Sequence, residues 1–257
     1  MKRRIFSAVM ASIFLLASIV YAAQDFQIQG NGFVEVEGMK YFEQGKPLDF
    51  LRRMAVMDAY RAMAESIGEL HITSESTMKN FSEFNDEVRV AIEKIVQGAR
   101  LVSTTRDNEG NFHAVVRLNL FGNANSIANV VIPKDQPIED FPQPKISTIS
   151  SNYTGLIVDC GGQLVSTAML PKIKSASGQE IYAFKYLDRN MVVSRGMVDY
   201  ADSTNSGSQR AGNNPLIIQA IFVQDCDIIV SDDDADKILA ANYKSNFLKN
   251  CMVVFVK

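Results

Sequence analysis

Four aspartates, Asp232, Asp233, Asp234 and Asp236, are the densest set of groups in the chain that could hold an ion. Carboxylate oxygens suit a hard cation such as calcium or magnesium. Their spacing does not match a calcium-binding loop, and no glycine or later glutamate completes one. Ser231 stands just before them as a helix cap, and acids in a first helical turn complement the helix dipole. The run therefore reads first as the start of a helix, with metal binding as the alternative. The two histidines, His71 and His113, lie far apart, one in a polar loop and one on the wet face of a strand. That argues against a zinc site or a histidine acid–base pair. Cys160 sits between Asp159 and two glycines, with no neighbouring cation to activate a thiolate. Cys226 and Cys251 each border an expected strand and would form a disulfide if those strands are neighbours. Tyr60 and Arg61, in the helical segment 57–65, are the candidates for a partner contact, since an exposed tyrosine or arginine anchors interfaces. No catalytic residue and no cofactor is assigned. Neither Gly161-Gly162 nor Gly30-Gly32 completes a phosphate-binding loop.

These side chains must be positioned by a chain of 257 residues, 47% of them apolar, a globular composition. Lys2, Arg3 and Arg4 precede an uncharged apolar run from Ile5 to Val20, and small residues follow at Ala22 and Ala23. The run is shorter than the ~20 residues of a spanning helix, so residues 1–23 read as a secretory signal peptide. The place after it is held by Ala23 or Gln24 rather than cysteine, which points to an exported protein without a lipid anchor. The signal carries three of the 26 basic residues. The remaining 23 face 29 acidic ones, a net charge near −6. Such a balance argues against nucleic-acid binding, which rests on neutralising phosphates.

Residues 24–122 read as a β-α-α-β-β domain of the α+β class. The first strand alternates Phe26, Ile28, Val34 and Val36 with polar residues. A helix over 47–69 carries the stripe Leu51, Ala55, Ala59 and Ala62, small enough to lie close on a sheet, with Pro47 in its first turn and Gly68 as its stop. Residues 71–84 read as a loop. A second helix over 85–97 has Asn85 as cap, Val88, Ala91, Ile92, Ile95 and Val96 as its buried face, and Gly98 ending it in the left-handed conformation. A hairpin follows, Leu101–Thr105 and 112–120, about the turn Asp107–Asn111. Residues 123–152 hold four of the seven prolines and read as a linker. Residues 153–257 read as a second, mixed α/β domain. Its strands are expected at 155–158, 171–173, 181–184, 216–222, 228–230 and 252–256, with an exposed loop over 200–214 and a helix over 232–243.

The segment Ala55–Ile67 (AVMDAYRAMAESI), the later Gly98-Ala99-Arg100-Leu101-Val102, and the strand ending Val116-Arg117-Leu118-Asn119-Leu120 together resemble the LPP-twenty lipoprotein family. That family is similar in turn to the N-terminal domain of flagellar assembly protein T. The resemblance covers residues 25–122. It implies a dodecin-like core in a bacterial envelope protein with no catalytic residues. The expectation is a non-enzymatic exported protein of the periplasm or cell envelope. Its partners would be envelope or flagellar proteins, or further copies of itself paired through edge strands. The alternative is a periplasmic ligand- or metal-binding protein that uses the second domain.

Overall fold

The computed structural model describes residues 32–83, 85–122, 125–145, 151–205 and 208–257. The expected signal peptide, with Gly30, Phe26 and Ile28, lies outside the described residues.

The first domain opens with β1 (Phe33–Lys40), where buried Val34 and Val36 alternate with exposed Glu35 and Glu37. α1 (Leu48–Glu69) lies across it, burying Leu51, Ala55, Ala59, Met63 and Ile67. The expected small-residue stripe works as a seat for the sheet at Gly38. A Cβ on that residue would fall 2.0 Å from the Ala59 nitrogen and 2.7 Å from the Ala55 oxygen, so only glycine lets helix and strand touch. Pro47 occupies the cap position rather than the first turn, and the helix runs on through Gly68.

Residues 71–83 are not a loop. They form β2 (His71–Thr73), β3 (Ser76–Thr77) and α2 (Met78–Glu83). Ile72 and Met78 are buried single anchors in a polar stretch, too sparse to show a period. α3 (Asp86–Gln97) follows, with the Asn85 side chain accepting from the Val88 N–H at 3.1 Å. Ile92 and Val96 are its buried residues. Gly98 closes it at φ −86°, outside the left-handed region expected of it. β4 (Arg100–Arg106) and β5 (Phe112–Asn119) form the hairpin, and Gly110 takes φ +90° in its turn. The sheet order is β1-β5-β4, antiparallel throughout.

The proline-rich stretch is not bare spacer. It contains α4 (Ile127–Val131), whose Ile127, Ala128 and Val131 are buried, and Arg189 donates to the carbonyls of Asn129 and Ile132 at 2.9 and 3.3 Å. Further on, Phe141 stacks on Tyr186 with ring centroids 5.0 Å apart. Composition marks flexibility here, but α4 is packed into the core and Phe141 is partnered on the second domain.

That domain comprises β6 (Gly155–Asp159), β7 (Ile173–Ser175), β8 (Glu180–Tyr182), α5 (Arg189–Arg195), β9 (Asp199–Ala201) and α6 (Ser208–Ala211). It continues with β10 (Pro215–Gln219), β11 (Phe222–Gln224), β12 (Asp227–Val230), α7 (Asp232–Ser245) and β13 (Val253–Val256). One sheet, β10-β6-β13-β9, is parallel, with Pro215 at the first residue of an edge strand, where a missing N–H is tolerated. The other, β11-β12-β7-β8, is mixed. The expected loop over 200–214 instead supplies β9 and α6, and Ala211 covers Ile157, Val254 and Val256. Contact there is close: a Cβ on Gly155 would lie 2.4 Å from the Ala211 oxygen.

The cores of the two domains merge into one contiguous apolar cluster. The β2–β3 hairpin joins them, because the N–H groups of Met169 and Leu170 donate to the carbonyls of His71 and Ile72 at 3.0 and 2.8 Å. Ser74 Oγ donates to Asp227 Oδ2 at 3.0 Å. Asp227 is buried and also accepts from Lys174 Nζ at 2.8 Å and from the Lys172 N–H at 3.0 Å. No helix among the described residues is long and apolar enough to cross a membrane.

Candidate functional site

A groove of about 820 Å3 lies between α1, α2 and α3. Its floor is the outer edge of the core: Ile67, Met78, Ile92 and Val96, all buried. Exposed Ala64 leaves the trough open at its middle, and the partly buried Tyr60 ring closes one end.

Two matched charge ladders flank the floor. On α1, Arg61 reaches Asp58 at 2.7 Å and Glu65 at 3.1 Å. On α3, Arg89 reaches Asp86 at 3.1 Å and Glu93 at 3.0 Å. Both follow the spacing D-x-x-R-x-x-x-E, which places three side chains on one helical face. Exposed pairs of this kind contribute little to stability. Their effect is to hold both guanidinium groups at the rim with an ordered pattern of alternating charge. Lys79 from α2 adds a cation to the rim.

Tyr60 and Arg61 thus both line this groove. The Tyr60 hydroxyl is not free for a partner, since it donates to the Ala99 carbonyl at 2.7 Å and ties α1 to the start of β4. Residue reasoning missed Ala64, Ile67, Met78, Arg89, Ile92 and Val96 as groove residues. The repeated ladder spacing on two successive helices was the available signal.

Elsewhere the conspicuous groups are engaged internally. Ser231 Oγ accepts from the Asp234 N–H at 3.0 Å and donates to its carboxylate at 2.8 Å. Asp232 accepts from the Ser177 N–H at 3.0 Å, which holds its carboxyl below the usual range. Asp234 pairs with Lys237 at 3.0 Å, and Asp236 accepts from the Lys145 N–H at 3.3 Å. The run behaves as a capped helix start. Among the described residues no three His, Cys, Asp or Glu side chains converge as a metal centre requires.

The expected bridge between Cys226 and Cys251 is not formed. Both are free and buried, as is Cys160. The strands they border, β12 and β13, belong to different sheets and are not paired neighbours. Burial pushes the Cys160 thiol up to about 12, far from a reactive thiolate.

The two histidines do not meet. His71 is on β2 at the domain junction, its Nδ1 3.2 Å from the Asp225 carboxylate but outside hydrogen-bonding geometry. His113 lies on the outer face of the first sheet, with Nδ1 2.9 Å from Glu37 and Nε2 3.2 Å from Asp107. Carboxylates only accept, so this pair of contacts favours the protonated ring, in which both nitrogens donate. The Asp107 hydrogen bond raises its pKa against desolvation, and Glu37 adds to it. Asp107 itself is desolvated, yet hydrogen bonds from Asn111, His113 and the turn's N–H groups hold it down to about 2.

Comparison with known proteins finds two separate matching segments. Residues 155–257 match the family described as Treponema pallidum Tp0624, second domain. No individual curated protein matches the chain. Residues 28–119, which include all three helices of the groove, match the LPP20 lipoprotein family, so the first domain is similar to LPP20 and the domain that follows it to the second domain of Tp0624.

Proposed function

We propose that this is an exported, non-catalytic protein of a bacterial envelope that acts through protein–protein contact, with the α1–α2–α3 groove as its contact surface. The carrying observation is the groove itself, an apolar trough between two helices whose rims bear ordered charge. That arrangement suits an amphipathic helix laid into a groove, apolar face down and charges against the ladders. The LPP20 likeness of the domain that holds the groove supports an envelope location. A part in surface or flagellar assembly belongs to the same reading.

The test places a photo-activated crosslinking residue at Lys79, on the rim, or at Tyr243, exposed on the second domain, in cells producing the protein. One dominant envelope protein should be captured from position 79 and not from 243. Ala64→Glu, at an exposed helical position, should abolish that capture without moving the melting temperature. Equal capture from both positions, or none from position 79, would remove the groove from the proposal. Reproducible turnover of an envelope substrate by the purified chain would remove its non-catalytic part.

A further inference from the structure

The first domain has two ends. At one, the start of β1, the end of β5 and the β2–β3 hairpin meet the second domain: Gly122 N–H donates to the Val193 carbonyl at 2.9 Å, and Phe121 packs on Gly196. At the other lie the end of β1, the start of α1 and the β4–β5 turn. Antiparallel pairing of β1 with β5 puts these three together, away from the junction.

This free end is unusually apolar for a surface. Tyr41 is 57% exposed, Phe42 43%, Leu48 47% and Phe50 39%. Cations are interleaved with these side chains. Lys46 Nζ lies 5.9 Å from the Phe50 ring centroid, and the Arg106 guanidinium 5.7 Å from that of Phe42. Across residues 40–53 and the turn 106–111, Lys40, Lys46, Arg52, Arg53 and Arg106 stand against Glu43, Asp49, Asp107 and Glu109, a local excess of one positive charge. Among the described residues neither Lys46 nor Arg53 has a carboxylate within ion-pairing distance, while Glu43 is paired to Lys40. Of the two acidic turn residues, Asp107 is held by Asn111 and His113, and Glu109 accepts from Asn111 Nδ2 at 3.4 Å.

We infer that this end seats the protein on a lipid bilayer bearing anionic headgroups. Aromatic side chains with an apolar body favour the membrane interface. Each unpaired Lys or Arg near an anionic surface contributes about 1 kcal/mol of attraction, a factor of about five in binding. A second copy of the chain would bring the same positive excess against itself. From the proposed function the inference takes only export. It does not involve the groove, so the two fail separately.

Sedimentation of residues 24–257, which contain every described element, with phosphatidylethanolamine–phosphatidylglycerol vesicles tests it against phosphatidylcholine vesicles. Binding is expected to the anionic vesicles, weakening as salt rises. Lys46→Glu with Arg53→Glu should lower it at least on the order of tenfold. Leu48→Ser with Phe50→Ser, at exposed helix positions, should lower it too while circular dichroism and melting stay as in the parent. Undiminished binding by either variant, equal binding to both vesicle types, or no binding overturns the inference. So does a concentration-dependent dimer in solution that Leu48→Ser with Phe50→Ser dissolves, since a second copy would then cover this end.

Discussion

The two domains treat their conspicuous residues in opposite ways. In the first, Tyr60 and Arg61 line an open groove, and the aromatic residues after β1 stand exposed. In the second, the aspartate run is drawn into a helix cap and all three cysteines are buried. The difference shows why residue type and spacing do not separate a site from a scaffold. Four acids in five residues and a single arginine on a helix are equally suggestive as sequence. What distinguishes them is whether local backbone donors engage the side chain or the packing leaves a surface beside it uncovered.

The largest test of this contrast targets the joint. Asp227→Ala leaves Lys174 without its carboxylate and Ser74 without its acceptor across the junction. A loss of about 3 kcal/mol is expected in urea unfolding, since breaking a buried pair exceeds the value of forming one. A loss below 1 kcal/mol would mean that the two domains hold together without this polar clamp. Gly38→Ala and Gly155→Ala probe each domain's own close contact. Each pushes a methyl into backbone, and each should cost about 3 kcal/mol, the upper end for overpacking. A marked inequality would show which domain adapts more readily.

Ser231→Ala should cost about 1 kcal/mol, the value of a helix cap, with no change on adding calcium. Stabilisation of the parent by calcium, lost in Asp232→Asn, would return the aspartate run to the status of a site. The smallest effect is electrostatic. His113 should titrate above the ordinary histidine value by NMR, and Glu37→Gln should bring it down. Because its folded pKa is raised, its contribution is complete below the unfolded pKa and fades as pH rises through the folded one. Asp107 has the opposite sign, with stability present above its ordinary value and lost as pH falls toward about 2.

Much of the secondary structure was legible because it follows from local rules. The α3 cap at Asn85, the β4–β5 hairpin about Asp107–Asn111 and the Ser231 cap each depend on residues within one turn of one another. The small-residue stripe of α1 was legible too, although its partner Gly38 was not, since nothing local links residues 38 and 59. Residues 71–83 were illegible for the same reason. Their order comes from hydrogen bonds to Met169 and Leu170, a hundred positions away in the chain.

Sequence by itself determined the alternating strands, the capped helices, the acidic balance and the likeness of the first domain to LPP20, because periodicity, capping and charge are properties of neighbours. Tertiary structure alone decided the rest. It joined two apparent domains through one core, buried Cys226 and Cys251 as free thiols beside strands of different sheets, and brought Arg61 and Arg89 to one groove. The reason is that non-local packing is set by the burial of apolar surface, which is non-directional, and only the assembled chain shows which surfaces that burial leaves uncovered.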